Sequence, residues 1–386
     1  MPTPQLSVNR ALVLHPGGTF TYSEREIPTI ESDRDVLVRV VATGLCGSDV
    51  RECFSFIIGI SFDTVFTQIH YWQHGKLGRY EVTQPLVLGH ESSGVIVATG
   101  SNVDGLKVND RVALEPGISC NVCSYCRSGR YNLCTSMQFA ATPPVNGTLC
   151  TYYRVPAQCC YKLPDTISFR DGALVEPLSV AVHACRLGGD MQNRSVVVFG
   201  AGPVGLLCCA VAAAFGASTV VAVDVVEERL ECAPRYGATH TYRMQTAQNE
   251  GDSSNEAQIR ALAGVPEGVD VVLDASGAEA CLACGIGILA SGGTFVQVGL
   301  GKPTVAFPVG MVCDKEIAFK GSFRYGPGDY KLAIGLLSSG RVRVDGLVTH
   351  EFDFEKAEGA FKNVVARKGI KSVIYGPSVD SRMRIA

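Results

Sequence analysis

The sequence predicts an α/β protein in which a doubly wound parallel sheet stands beside a second, β-rich domain. Two textures along the 386 residues carry that reading. Up to about residue 175 the chain is a series of short β-branched runs, 36–41, 94–98 and 111–114 among them, cut by Gly, Asp and Asn turns. From about Val180 the units alternate. An apolar run at 196–199 leads into a glycine turn and an Ala-rich helix at 204–215. Next come a strand at 219–223, a charged helix from Glu227, and strands at 269–273 and 293–298. Strands separated by helices pair in parallel, because a parallel connection has to cross back over the sheet. Beyond about Tyr325 lie a helix at 330–338, strand signals at 347–350 and a helix at 354–365, a tail able to return to the first domain.

Composition narrows the function classes. The length allows two domains with substantial cores. A net charge of −3 and a pI near 6.2 offer no basic surface, so neither nucleic acid nor an anionic membrane is an expected partner. Hydrophobic residues make up 46% and charged residues only 18%, as in a compact, well-buried globular protein. Residues 1–10 are polar with no apolar segment after them, and the C-terminal Met383, Arg384, Ile385 and Ala386 carry no lipidation or retention signal. Most of the 16 cysteines are scattered, several in apolar runs where a free thiol behaves as a small hydrophobe. A reducing cytoplasm is the expected home.

The first chemistry-bearing motif follows the apolar run at 196–199. Gly200, Ala201, Gly202, Pro203, Val204 and Gly205 form G-x-G-x-x-G between a strand and a helix, the context that makes the pattern meaningful. Gly200 permits the tight turn, Gly202 lets a pyrophosphate approach the backbone, and Gly205 lets helix and strand pack closely. The helix N-terminus turns its free N–H groups and positive dipole end toward the phosphates. Asp224 closes the second strand, 24 residues after Gly200, where a carboxylate accepts hydrogen bonds from ribose hydroxyls. A 2′-phosphate would meet like charge there, so NAD is expected rather than NADP. Arg229 reads either as a cover for the adenine or as a solvated helix arginine. This half is therefore Rossmann-type.

Two further groups point to metal. Cys120, Cys123, Cys126 and Cys134 stand at C-x2-C-x2-C-x7-C, with Gly117, Gly129, Tyr125 and Tyr131 shaping a turning lobe. Four thiolates so close in sequence form a closed tetrahedral zinc cage, which holds structure and keeps no open position. The alternatives are local disulfides, strained at C-x2-C-x2-C, or four unrelated thiols. Elsewhere Cys46 lies in 44–49 (GLCGSD), His90 and Glu91 lie in 88–94 (LGHESSG), and Glu176 sits in the apolar stretch 173–178 (ALVEPL). A carboxylate buried there needs a partner. Each residue taken singly reads as structural; beside a zinc cage and a dinucleotide fold, the set reads as an open catalytic metal site.

These motifs, running nearly end to end, resemble those of the zinc-dependent medium-chain dehydrogenases/reductases, in their polyol dehydrogenase branch. Within it the chain is most similar to the fungal xylitol dehydrogenases (D-xylulose reductases), through 139–144 (FAATPP), 199–210 and 321–326 (GSFRYG). The resemblance implies that the β-rich domain is GroES-like. It implies residues 1–178 as this catalytic domain, with a structural zinc lobe at about 117–136. Residues 179–324 are then the NAD-binding domain and 325–386 a segment that completes the first. It implies two zincs per chain: one in the cage, one held by Cys46, His90 and a glutamate, with Glu91 and Glu176 both in that shell. Tyr71, Arg324 and Tyr325 would reach substrate hydroxyls, and Ser48 and His70 would relay the proton as hydride passes to the nicotinamide. A small polyol, most readily xylitol, is the implied substrate, with L-arabinitol or D-sorbitol as alternatives. A homo-oligomer, often a tetramer, is the implied assembly.

One segment departs from the pattern. Between Asp49 and Ile69 lies the block 50–68, apolar and aromatic, too short to span a membrane. It reads as a translated intron: valine codons begin with GT, a glutamine codon can end in AG, and 19 codons keep frame. Excision joins Asp49 to Ile69 and shortens the Cys46-to-His90 spacing from 44 to 25. The alternative is a genuine surface loop, which would separate Ser48 from His70 and open the further reading of an inactive structural or NAD-binding relative.

Overall fold

The computed structural model describes residues 8–46, 71–73, 75–77, 80–245, 254–377, 379 and 383–384. Ser48, His70 and the block 50–68 lie outside the described residues.

The first sheet is organised around Asp35–Gly44, ten residues of which nine are buried. A strand covered on both faces reads as a continuous apolar run, and 36–38 and 40–42 supply one. The order across this sheet is Cys160–Lys162, Arg111–Leu114, Glu91–Thr99, Asp35–Gly44, Lys371–Tyr375 and Val348–Phe352, and Tyr152–Pro156 also pairs with Asp35–Gly44. Register matters here more than order. Gly44 lies opposite Glu91 on one neighbour and opposite Val373 on the other. Three stretches far apart in sequence therefore meet at one end of the sheet. The last two strands pair in parallel, with Ala357–Val365 as the helix between them.

The second sheet is wholly parallel, in the spatial order His240–Arg243, Thr219–Asp224, Ser195–Phe199, Val269–Asp274, Leu289–Gln297 and Ala318–Gly321. In chain order this is 3-2-1-4-5-6, the doubly wound dinucleotide-binding topology. The carboxyl ends of Ser195–Phe199 and Val269–Asp274, between which the strand order reverses, face the crevice. Val196, Val197, Val198 and Phe199 are fully buried, as a central parallel strand requires.

Some elements differ from expectation. The charged helix from Glu227 is a single turn, Glu227–Leu230, followed by a 3-10 turn Ala233–Tyr236, because Pro234 has no N–H with which to continue it. The last strand, Ala318–Gly321, is exposed along its whole length and shows no apolar alternation, so periodicity did not reveal it. Helix Val175–Gly188 runs across the expected change of texture near Val180.

Candidate active site and dinucleotide cleft

The sheet register converges on a cluster in which Glu91 is buried and Cys46 and His90 are half-buried. Ligand atoms of Cys46, His90 and Glu91 all lie within 4.8 Å of one another. Cys46 stands two residues beyond the end of strand Asp35–Gly44, and Glu91 opens its neighbour. Gly44 has no room for a side chain, because a Cβ there would run into Glu91 Oε2. Gly89 takes φ +98°, which aims His90 into the cluster and which a residue with a Cβ adopts only under strain.

Charge is arranged around these donors. Lys371 Nζ donates to Glu91 Oε1 at 2.7 Å and lies 2.5 Å from Oε2, and both side chains are almost wholly buried. Burial, aided by the cations Lys371 and Arg324, pushes the His90 imidazole down to about 3, so it is neutral and able to ligate at physiological pH. Glu176, in the first turn of helix Val175–Gly188, stands outside the tight cluster. Burial and then the Glu91 charge raise its carboxyl to about 8, against the pull of Lys371 and Arg324. Sulfur, nitrogen and oxygen donors in one partly buried site suit zinc, and three protein donors leave a position for substrate.

Arg324, Tyr325 and Tyr71 gather near this cluster. The Arg324 guanidinium lies 3.7 Å from the Phe139 ring centre, and Phe139 in turn lies 5.6 Å from the His90 ring. Burial lowers the proton affinity of Arg324, while Tyr325, Tyr80, Glu176 and Tyr71 hold its charge. Tyr325 is buried beside Glu176 and packs edge-on against Tyr330, 5.0 Å between ring centres. Tyr71 is also buried, and desolvation raises its hydroxyl to about 12.

The four lobe cysteines form a second cluster, again within 4.8 Å, and all four are reduced. Cys120 and Cys123 Sγ lie 3.9 and 3.5 Å from Cys126 Sγ. A disulfide needs about 2.05 Å, whereas a tetrahedron of zinc–sulfur bonds near 2.3 Å has edges of about 3.8 Å. The lobe is thus spaced for a metal. Backbone N–H groups aim at its sulfurs: Cys123 N donates to Cys120 Sγ and Cys120 N to Cys134 Sγ, both at 3.4 Å. Such donors, from Val122 and then Cys123, pull the Cys120 thiol down to about 6.

The glycine fingerprint behaves as its chemistry requires. Gly200 takes φ +91°, and a Cβ on Gly205 would strike the Gly200 carbonyl. Around Gly202 there is open space, at the N-terminus of Pro203–Ala214, whose cap uses no side chain and leaves the first N–H groups free. Asp224 accepts from Ala201 N at 2.7 Å through one oxygen, and from Val225 and Val226 N at 2.7 and 3.0 Å through the other. Arg229 Nη1 lies 4.0 Å from Asp224. Gly200, Gly202, the first helical residues Pro203 to Gly205, Asp224 and Arg229 line a cleft of 280 Å³.

The far wall of that cleft was not anticipated. Arg367, Lys368, Ile370 and Ser372 line it, together with Leu45 beside the metal cluster. Lys371, buried against Glu91, was missed as well. A basic pair before a terminal strand was the available signal, but only sheet pairing places it opposite the fingerprint.

Comparison with known proteins agrees with this arrangement. Residues 32–165 match the alcohol dehydrogenase GroES-like domain and residues 203–339 the zinc-binding dehydrogenase family. The chain is 50% identical over 368 residues to the probable D-xylulose reductase A of Neosartorya fischeri, covering 95% of this chain and 97% of that one. It is 49% identical over 373 residues to D-xylulose reductase A of Aspergillus niger, covering 97% and 98%. Among solved structures it resembles L-idonate 5-dehydrogenase from Escherichia coli, with TM-score 0.81, 26% identity and coverage of 96% and 98%. It also resembles 2R,3R-butanediol dehydrogenase from Bacillus subtilis, with TM-score 0.77, 27% identity and coverage of 95% and 99%.

Proposed function

The chain belongs to the zinc-dependent medium-chain dehydrogenase/reductase family, polyol branch, and from that premise we propose that it interconverts xylitol and D-xylulose with NAD. The observation that carries the reading is the partly buried Cys46–His90–Glu91 cluster next to Leu45, which itself lines the dinucleotide cleft. Relatives of about 50% identity named D-xylulose reductase support the choice of substrate.

The cluster fits zinc, with Cys46, His90 and either Glu91 or Glu176 as its ligands. When bound, the metal lowers the proton affinity of an alcohol, and the oxidised nicotinamide accepts hydride. Glu91 is held in place by Lys371, and Glu176, neutral-leaning beside it, stands where a proton can be shared. Arg324, Tyr325 and Tyr71 bind the remaining hydroxyls of the polyol. Ser48 and His70 relay the proton to solvent, a role that rests on family resemblance alone. Gly200 to Gly205 seat the pyrophosphate, Asp224 the ribose, and Arg229 covers the adenine.

A second zinc belongs to Cys120, Cys123, Cys126 and Cys134. The domain division is 1–178, 179–324 and 325–386. The protein works in the cytoplasm as a homo-oligomer; among the described residues no helix is long and apolar enough to cross a membrane. The exposed edge strand Ala318–Gly321, with Phe307, Val309, Met311 and Phe319 open around it, supports association through that edge.

The test is to purify the chain with and without residues 50–68 and follow NADH formation on xylitol, D-sorbitol and L-arabinitol. Xylitol should lead. A form loaded with two zincs that oxidises none of the three would defeat the polyol reading and favour an inactive relative. A messenger population that always retains the 50–68 codons would sink the intron reading.

A further inference from the structure

The loop that carries Arg324 and Tyr325 is held from two sides. Arg324 itself sits at φ +58°, unfavourable for a residue with a side chain and stable only where surroundings impose it. On one side, fully buried Asp329 accepts from Gly326 N at 2.6 Å, from His183 Nδ1 at 2.9 Å and from Arg186 Nη1 at 2.5 Å. His183 and Arg186 belong to the same helix as Glu176, so this clamp ties the loop to the metal neighbourhood.

The other side is the cysteine lobe. Tyr131–Leu133 is a single 3-10 turn that runs directly into Cys134. Asn132 Nδ2 donates to the Phe323 carbonyl at 2.9 Å. Tyr131 Oη bonds Glu115 Oε1 at 2.6 Å and lies 3.3 Å from the Gly326 carbonyl. Glu115, buried and outside the proposed chemistry, also accepts from Tyr161 Oη at 2.8 Å. Asn132 therefore grips the Phe323 carbonyl at one end of the four-residue stretch that presents Arg324 and Tyr325, and Tyr131, whose single hydroxyl proton goes to Glu115, lies against the Gly326 carbonyl at the other end.

We propose that Tyr131 and Asn132 are positioning residues, through which the cysteine lobe holds the 323–326 backbone in the conformation that receives the polyol. The lobe then contributes to substrate selection as well as to stability. This rests on the polyol reading above for its kinetic consequence, though not for its structural one.

Asn132→Ala and Tyr131→Phe test it. Asn132→Ala removes the bond to the Phe323 carbonyl, and Tyr131→Phe removes the hydroxyl that joins Glu115 to the Gly326 end of the loop; neither removes a metal ligand, so the KM for xylitol should rise roughly three- to tenfold. The dissociation constant for NADH, read by fluorescence titration, and the zinc content should stay as in the unaltered protein. Hydrogen exchange in a peptide covering 321–327 should accelerate by a similar factor, with no change at 195–205. Unchanged KM and unchanged exchange in both variants would overturn the proposal. So would losses of NADH affinity and zinc in step with the rise in KM, which mark a general structural defect. Should the unaltered protein oxidise no polyol, the functional reading fails alone, and the exchange measurement still decides the tether.

Discussion

The two cysteine-containing clusters differ most in how they are assembled. The lobe draws Cys120, Cys123, Cys126 and Cys134 from fifteen consecutive residues and needs only a short helical turn and a tight bend to close. The Cys46–His90–Glu91 cluster needs three neighbouring strands in correct register, and its carboxylate is neutralised by Lys371, 280 residues away. A local site can assemble before the rest of the fold is in place, even where, as here, its neighbours later bond to a distant loop. A site built from distant strands is sensitive to every element that sets their register.

That contrast can be broken or sharpened by substitution. Cys46→Ser should have the largest effect, a loss of at least about a thousandfold in xylitol oxidation, the scale of a metal's contribution to charge stabilisation. Zinc should fall by one per chain while NADH still binds. Loss of both zincs would show that the clusters are not separable, and retained activity would show that Cys46 does not hold the catalytic metal.

Lys371→Met comes next. It leaves the Glu91 carboxylate buried without its cation, which costs about 3–5 kcal/mol of stability. Adding Glu91→Gln to it should recover much of that loss in chemical denaturation, because no buried charge is then stranded. Equal destabilisation of the single and double variants would mean the pair is not coupled.

Cys123→Ser should open the lobe and lower the thermal midpoint by about 4 °C, a loss of about 3 kcal/mol in a chain of this size. NADH affinity should hold, since no lobe residue lines the dinucleotide cleft. The smallest effect is expected at Asp224→Ala, which should weaken NAD by about tenfold through lost ribose hydrogen bonds and spare NADP. Parallel titrations with both cofactors check it; equal weakening would contradict the ribose role.

Legibility in the sequence follows the same division. The cysteine ladder and the glycine fingerprint are complete within short windows, and their spacing alone states their chemistry. The parallel strands were readable because a central strand such as Ser195–Phe199 is buried throughout and leaves an unbroken apolar run. Ala318–Gly321 escaped because an exposed edge strand needs no apolar pattern. Lys371 and the basic pair Arg367 and Lys368 escaped for another reason: their roles exist only after the C-terminal strand has returned to pair with Asp35–Gly44. Glu91 and Glu176 could not be ranked from sequence, since each is an acid in a motif that could supply a ligand: Glu91 beside His90 in 88–94, Glu176 alone in the apolar stretch 173–178. The fold separates them, placing Glu91 in the donor cluster and Glu176 just beyond it.

The central claim is that one chain holds two zincs with divided duties. Its most direct test is the zinc count by native mass spectrometry on the unaltered protein, Cys46→Ser and Cys123→Ser, paired with xylitol oxidation for each. The account predicts two, one and one, with oxidation abolished in Cys46→Ser but persisting in folded Cys123→Ser. A single zinc in the unaltered protein, or a Cys46→Ser variant that keeps both zincs and its activity, would contradict it.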